Sequence, residues 1–322
     1  MKKSAFVLGI SILFSVFSSC FTIEETPLFT EEEVNTVSFT ISTLKEEAGS
    51  SCVDGILKDK AKQYWESGDA VGVFLSNAEQ VNFQMKGTDG KTTASFASEG
   101  MGLKLDNRFS AYYPYSSSNN DARMLLLSYL GQKQQGTGEL ASKHLGSYTL
   151  MASPPVTATG PTLSFTLNNV GAVMMLHLTM PKASVYTSAV LYTDAKVIPV
   201  RKAIDLQAAA LTQSSIELSD RLAIELQDVT TQTPNEELIL WIAFPAVAEA
   251  AHTLKVVVYD DSGNAYSADV YKTDQVTASD LVFKENTSYC RYATPVKIEG
   301  FNFSIEQWES DGQDHGGSVN KS

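Results

Sequence analysis

Catalysis needs converging groups, and this chain has few to offer. Its 322 residues hold only four histidines and three cysteines. His144, His177, His252 and His315 follow no metal-ligand spacing, and His177 falls in an apolar run where a hydrogen-bonded strand residue is expected. There is no Gly-x-Ser-x-Gly elbow, no His-Glu-x-x-His pair and no glycine-rich phosphate loop. Paired carboxylates for glycoside cleavage need a geometry that no spacing here supplies. The loop Asp260-Asp261-Ser262-Gly263-Asn264 offers oxygens to calcium but lacks the spaced acids and closing Glu of a dedicated site, so it reads as a turn. No enzyme is expected, and no cofactor or metal. Positive charge is short as well: 24 Lys and Arg stand against 37 Asp and Glu, a formal charge of −13. Such a surface repels phosphate backbones, which excludes nucleic acid as a partner.

Long apolar runs are missing beyond the first residues, so no transmembrane helix is expected. The start itself is a different case. Met1, Lys2 and Lys3 precede an apolar run from Ala5 to Phe17, and Ser18 and Ser19 then lead to Cys20. A basic end, a short apolar stretch and small residues make the layout of a secretory signal. The run is shorter than the about 20 residues a spanning helix needs. A cysteine directly after small residues resembles the lipoprotein box, with Phe17 where Leu is usual. Residues 1–19 therefore read as a lipoprotein signal, with Cys20 acylated and anchored in the outer membrane. Ordinary secretion with cleavage near Ser19 is the alternative. Cleavage removes Lys2 and Lys3 and no acid, which moves the formal charge from −13 to −15. Cys52 and Cys290 remain; sequence gives no geometry for a pair, and they are expected to be unpaired and half-buried.

Residues 20–36 carry Glu24, Glu25, Glu31, Glu32 and Glu33 without apolar periodicity and read as an acidic tether. From Val37 onward the period is two. Val37, Phe39 and Ile41 alternate with polar residues, as do Phe109, Ala111 and Tyr113. Leu238, Leu240, Ile242 and Phe244 line one face of a later run, and Leu254, Val256 and Val258 that of another. Alternation of this kind marks half-buried strands. Residues 260–264 sit between two such runs and predict a hairpin. Helix is expected only over 58–66 and 203–211. The result is an all-β chain of antiparallel sandwiches. About 300 mature residues exceed one typical core. A Pro, Gly and Thr cluster over 154–161 places the division there, giving domains over 37–158 and 159–308, because proline cannot serve an interior strand. Residues 309–322 are polar and expected to be disordered.

Three segments carry a resemblance. The run Trp65-Glu66-Ser67-Gly68-Asp69-Ala70-Val71-Gly72-Val73-Phe74 resembles the W-x-x-G-D-x-V-x-V-F motif of fimbrillin-like proteins, lipoprotein pilins and surface proteins of Gram-negative anaerobes. Phe109-Ser110-Ala111-Tyr112-Tyr113-Pro114-Tyr115 is similar to the family's aromatic strand ending in Tyr-Pro. Leu167-Asn168-Asn169-Val170-Gly171-Ala172-Val173 is similar to its Phe-x-Asn/His-x-x-Ala segment, with Leu167 in place of the aromatic. The three occur in the family's order and cover residues 65–180; the second half resembles the family only in style.

The resemblance implies two tandem transthyretin-like β-sandwich domains and a mechanism of assembly into a fimbrium. A protease removes the first strand, here 37–44, and a strand from a neighbouring subunit fills the groove by β-augmentation. The candidate donor lies within 294–308, where Val296 and Ile298 alternate, Gly300 breaks the phase, and Phe301, Phe303 and Ile305 resume it. The best-known members of the family are cut after an arginine in this early region, yet no arginine precedes Arg108; either Lys45, Lys58, Lys60 and Lys62 are the candidate maturation sites, a less selective protease acts, or the subunit is never trimmed. The partners implied are other pilus subunits, the outer membrane through the lipid, and a host or bacterial surface ligand. A non-polymerising surface lipoprotein that binds glycan is the alternative, with Tyr112, Tyr113 and Tyr115 as its candidate rings.

Overall fold

The computed structural model describes residues 33–34, 36–41, 64–75, 80–87, 90–98, 103–104, 107–137, 141–160, 162–249, 252–270 and 281–298. In chain order the strands are β1 (Glu33–Val34), β2 (Thr36–Ile41), β3 (Ala70–Leu75), β4 (Gln80–Lys86), β5 (Thr93–Ala97), β6 (Leu103–Lys104), β7 (Arg108–Tyr113), β8 (Leu125–Ser128) and β9 (Gln132–Gln135). After the one-turn helix α1 (Leu145–Tyr148) come β10 (Met151–Thr157), β11 (Leu163–Asn169), β12 (Ala172–Met180), β13 (Val185–Thr193), β14 (Ile198–Asp205), β15 (Thr212–Ser219) and β16 (Arg221–Thr230). The last are β17 (Glu236–Phe244), β18 (Val247–Glu249), β19 (Leu254–Asp260), β20 (Ala265–Asp269), β21 (Leu281–Phe283), β22 (Thr287–Ala293) and β23 (Val296–Lys297). The all-β expectation is met.

Seven strands close into a barrel in the order β10-β11-β2-β5-β4-β3-β7. Closure of the hydrogen-bonded ring stands where an open sandwich was expected. Its interior holds Val37, Phe39, Phe109 and Ala111, whose alternation the sequence shows, together with Val71, Val73, Phe83, Phe96, Phe165 and Leu167, all buried in one cluster with Trp65. The register of β10 on β7 shifts between Ser153 and Val156, where Pro154 and Pro155 stand. The prolines thus lie in a bulged strand rather than in a linker, since a bulge spares them the N–H they lack.

A second, larger core lies between a three-stranded sheet, β17-β12-β22, and a six-stranded one, β23-β20-β19-β13-β16-β9, with the sheet β15-β14-β8 beside them. Met174, Leu176, Leu178, Leu238, Leu240, Ile242, Val256 and Val258 are buried there. The hairpin β19–β20 turns at 260–264 as expected. Asp260 fills that turn: its Oδ1 accepts from the Ser262 and Asn264 amides at 3.0 and 2.8 Å, and its Oδ2 from Asn264 Nδ2 and the Tyr266 hydroxyl at 2.8 and 3.1 Å. Those bonds spend the oxygens that a cation would need.

Several sequence expectations are corrected. The strands cross the boundary set at residue 158, because β11 completes the barrel while β8 and β9, from before it, join sheets of the second core. Residues 203–211 are not helical: β14 runs to Asp205 with Ile198, Val200 and Ile204 buried, and Asp205 Oδ1 then accepts the Gln207 amide in a turn. The sheets are mixed rather than antiparallel, since β2–β11, β12–β22 and β16–β9 are parallel pairs. All three join strands far apart in sequence, which local alternation cannot register. The end of the expected tether is paired, Glu33 with Lys104 and Val34 with Leu103. Cys290 is fully buried and disulfide-bonded, against the expectation of a free, half-buried thiol. His177 is a hydrogen-bonded strand residue as expected, its Nδ1 2.9 Å from Glu237 Oε1. The signal at 1–19, the tail at 309–322 and most of the helix expected over 58–66 lie outside the described residues.

Candidate functional site

Of the leaving segment 37–44 that the resemblance implies, residues 37–41 lie in β2 and 42–44 lie outside the described residues. The backbone of β2 pairs antiparallel with β5, from Thr36 opposite Ala97 to Thr40 opposite Thr93, and parallel with β11, from Val37 opposite Leu163 to Ile41 opposite Leu167. Alternation sends Val37 and Phe39 inward, where both are fully buried, and leaves Ser38 and Thr40 half-buried on the outside. Phe39 lies at the centre of an aromatic cluster. It stacks on Phe165 at 5.1 Å and meets Phe96 and Trp65 edge-on at 5.0 and 6.3 Å. Burying a Val and a Phe contributes about 3–6 kcal/mol together, so β2 is held by its plugs as well as by its ladder.

The pairing around β11 is uneven. β10 reaches it only through Met151 opposite Asn169 and Ala152 opposite Asn168. Beyond that point the bulge at Pro154 and Pro155 carries β10 away. From Leu163 to Leu167 the only strand paired with β11, among the described residues, is β2.

The first two motifs form one joined structure beside this strand. Trp65 is fully buried, and its amide and carbonyl bond Lys91 and Gly90 at 3.0 and 2.9 Å. Gly68 supplies the positive φ of the turn, +95°. Asp69 closes it, Oδ2 accepting the Glu66 amide at 2.7 Å, while Oδ1 accepts the Tyr113 hydroxyl at 2.8 Å. Burial first, and then the Asp69 carboxylate, push the Tyr113 phenol well above its ordinary value, which keeps it a donor. Tyr113 in turn meets the Trp65 ring edge-on at 5.1 Å. Tyr112 points the other way, fully buried, its hydroxyl donating to Gln80 Oε1 at 2.6 Å. A Cβ at Gly72 would lie 2.2 Å from the Tyr112 ring. The third motif links the two cores. Leu167 is in the barrel, Asn169 Oδ1 accepts the Gly171 amide at 3.0 Å, and a Cβ at Gly171 would lie 2.3 Å from the Tyr129 hydroxyl.

Of the rings offered for glycan stacking, Tyr112 is inside the protein and Tyr113 is half-buried and bonded to Asp69. Of the candidate donor residues, Val296 lies in β23, paired with β20 of the same chain, and the Ile298 amide donates to the Ala265 carbonyl at 2.9 Å. Val296 is 65% exposed, so its side chain is not committed to the core. Cys20, Lys45, Lys58, Lys60, Lys62, Phe301, Phe303 and Ile305 lie outside the described residues. Sequence reasoning missed Gln132 and Gln134, two fully buried amides; a Gln-Lys-Gln-Gln run has no apolar face by which to announce a buried strand.

No family model matches the chain, and no curated protein matches it. Solved structures similar to it include a candidate cell adhesion protein from Bacteroides uniformis, at 15% identity and a TM-score of 0.47, covering 81% of this chain and 91% of that one. A fimbrial protein from Bacteroides ovatus is similar at 12% identity and a TM-score of 0.36, over 82% of this chain and 50% of the other. The tip fimbrial protein Mfa3 from Porphyromonas gingivalis is similar at 11% identity and a TM-score of 0.36, over 80% and 94%.

Proposed function

We propose that this chain is a non-catalytic, surface-anchored subunit of an adhesive fimbrium, held to the outer membrane through a lipid on Cys20. It assembles by exchanging β2 for a strand of a neighbouring subunit. The observation that carries the reading is the pairing of β11, whose residues 163–167 have β2 as their only strand partner among the described residues. Loss of β2 leaves a groove between β5 and β11, floored by Phe96, Phe165 and Trp65, with two unpaired backbone edges. An extended segment with alternating apolar residues restores both the ladder and the plugs. In this reading a lysine-directed cut at Lys45, Lys58, Lys60 or Lys62 releases the strand. The incoming segment is 294–308, with Val296, Ile298, Phe301, Phe303 and Ile305 on it.

The test is direct. Mature protein treated with a lysine-specific protease should form ladders that survive detergent until boiled, while untreated protein runs as a monomer. A trimmed protein that stays monomeric at high concentration sinks the proposal. Phe303→Asp separates the donor from the acceptor: with a normal melt of the untrimmed monomer, it should abolish ladders, and undiminished ladders would rule this donor segment out.

A further inference from the structure

The second core contains a strand that is recognised by its side chains. β17 is the edge strand of its three-stranded sheet, and its residues 238, 240, 242 and 244 face β12. The N–H and C=O groups of Ile239, Trp241 and Ala243 therefore point away from that sheet. Among the described residues no backbone ladder meets them, and two side-chain amides do. Gln132 Nε2 donates to the Ala243 carbonyl at 2.8 Å while its Oε1 accepts the Ala243 amide at 2.8 Å. Gln134 Nε2 donates to the Ile239 carbonyl at 2.9 Å while its Oε1 accepts the Trp241 amide at 2.8 Å. The second N–H of each amide is spent nearby, on the Tyr129 carbonyl at 2.9 Å and the Gly136 carbonyl at 3.3 Å. Both glutamines are fully buried.

A carboxamide carries a donor and an acceptor in one plane, as a peptide group does, so each glutamine stands in for a missing strand. Glutamate has no N–H to give, lysine has no acceptor, leucine has neither, and asparagine is one carbon short. The backbone of β9 is held separately. It pairs parallel with β16, from Gln132 opposite Ile224 to Gln135 opposite Gln227, and the Gly136 amide donates to the Gln227 carbonyl at 2.7 Å. Gly131 and Gly136 flank the strand at φ of +78° and +69°. Lys133 points outward to Glu225 at 2.8 Å, so the positions between the amides are free to vary.

We propose that the cleft between β16 and β17 is a strand-binding site that reads two carboxamides two residues apart, and that Gln132 and Gln134 fill it in cis. Its ligand class is an extended peptide of the pattern Gly-Gln-x-Gln-x-Gly, running parallel to β16. This site is separate from the β2 groove and stands or falls without it.

The experiment uses the full chain carrying Gln132→Ala and Gln134→Ala, and a synthetic peptide of residues 130–137. The peptide should displace the alanine-bearing β9 from β16 and raise the melting temperature of the variant in a dose-dependent way. A version with leucine for both recognition glutamines should bind at least tenfold more weakly. Wild type, its cleft already filled, should bind neither at the same concentrations. Equal binding of the two peptides, or no binding to a folded variant, overturns the proposal. Should the double variant not fold, Gln134→Ala alone decides the matter by hydrogen exchange. The Trp241 amide should exchange at least tenfold faster than in wild type while the Ala243 amide stays slow, and an unchanged Trp241 rate overturns the site.

Discussion

Replacing Trp65 by alanine is the sharpest test of the barrel core. The ring is fully buried and has three aromatic neighbours, Phe96 at 4.7 Å, Tyr113 at 5.1 Å and Phe39 at 6.3 Å, all edge-on. Truncating a buried Trp costs about 3–5 kcal/mol through lost transfer and the cavity left behind. Aromatic pairs of this geometry add about 0.5–1.5 kcal/mol each beyond area, which places Trp65→Ala toward the upper end of that range. Against a total stability of about 5–15 kcal/mol, a loss of about 5 kcal/mol removes a third or more of it. Trp65→Phe divides the effect. The Nε1–H is buried without a hydrogen-bond partner among the described residues, an arrangement that costs about 1–3 kcal/mol. Phenylalanine removes that penalty while keeping most of the ring, so its net cost should be less than about 2 kcal/mol. Urea unfolding followed by far-ultraviolet circular dichroism reads both. Two cores can unfold separately, so the comparison belongs to the transition that Phe39→Ala also moves. An unchanged midpoint for Trp65→Ala, or a larger loss for Trp65→Phe than for Trp65→Ala, refutes the reasoning.

Three further outcomes are expected. Gly72→Ala should destabilise the barrel by about 1–3 kcal/mol, because its Cβ meets the Tyr112 ring, and Gly72→Ala with Tyr112→Leu should recover part of the loss in the same urea assay. Asp69→Asn keeps one oxygen for the Glu66 amide, which Oδ2 accepts in the wild type, and gives Tyr113 a neutral partner in place of a carboxylate. A spectrophotometric titration should show one tyrosine ionising at lower pH than in wild type, and an identical curve would break the assigned link. Burial lowers the His144 pKa below its ordinary value. The unfolded state therefore takes up a proton first as pH falls below about 6.5, so stability rises with pH across that window and falls on acidification. His144→Leu should flatten that slope, as read from melting temperatures between pH 7 and pH 5.

What was legible in the sequence follows from how locally each feature is encoded. Val37 and Phe39, the interior of β7 and the buried faces of β17 and β19 were visible because period two and burial on one side are the same fact seen twice. The hairpin at 260–264 was visible for a similar reason: Asp260 and Asn264 make their bonds within five residues. The errors cluster where a partner distant in the chain decides. Pro154 and Pro155 exclude an interior ladder position, but a bulge in β10 against β7 accommodates them, and nothing near residue 154 announces the bulge. The three parallel pairs join residues 37 with 163, 172 with 287 and 224 with 132, and no local pattern carries such a register. Gln132 and Gln134 show the limit most clearly. Their polarity argues for an exposed strand by every local rule, and they are buried only because a sheet edge more than 100 residues away presents backbone groups in the spacing of their amides. The Asp69 to Tyr113 bond has the same character on a smaller scale, since it makes one structure of two motifs that the sequence displays as separate. Local periodicity therefore locates the strands of this chain, while the residues that choose their neighbours are polar, buried and silent until the partner is in place.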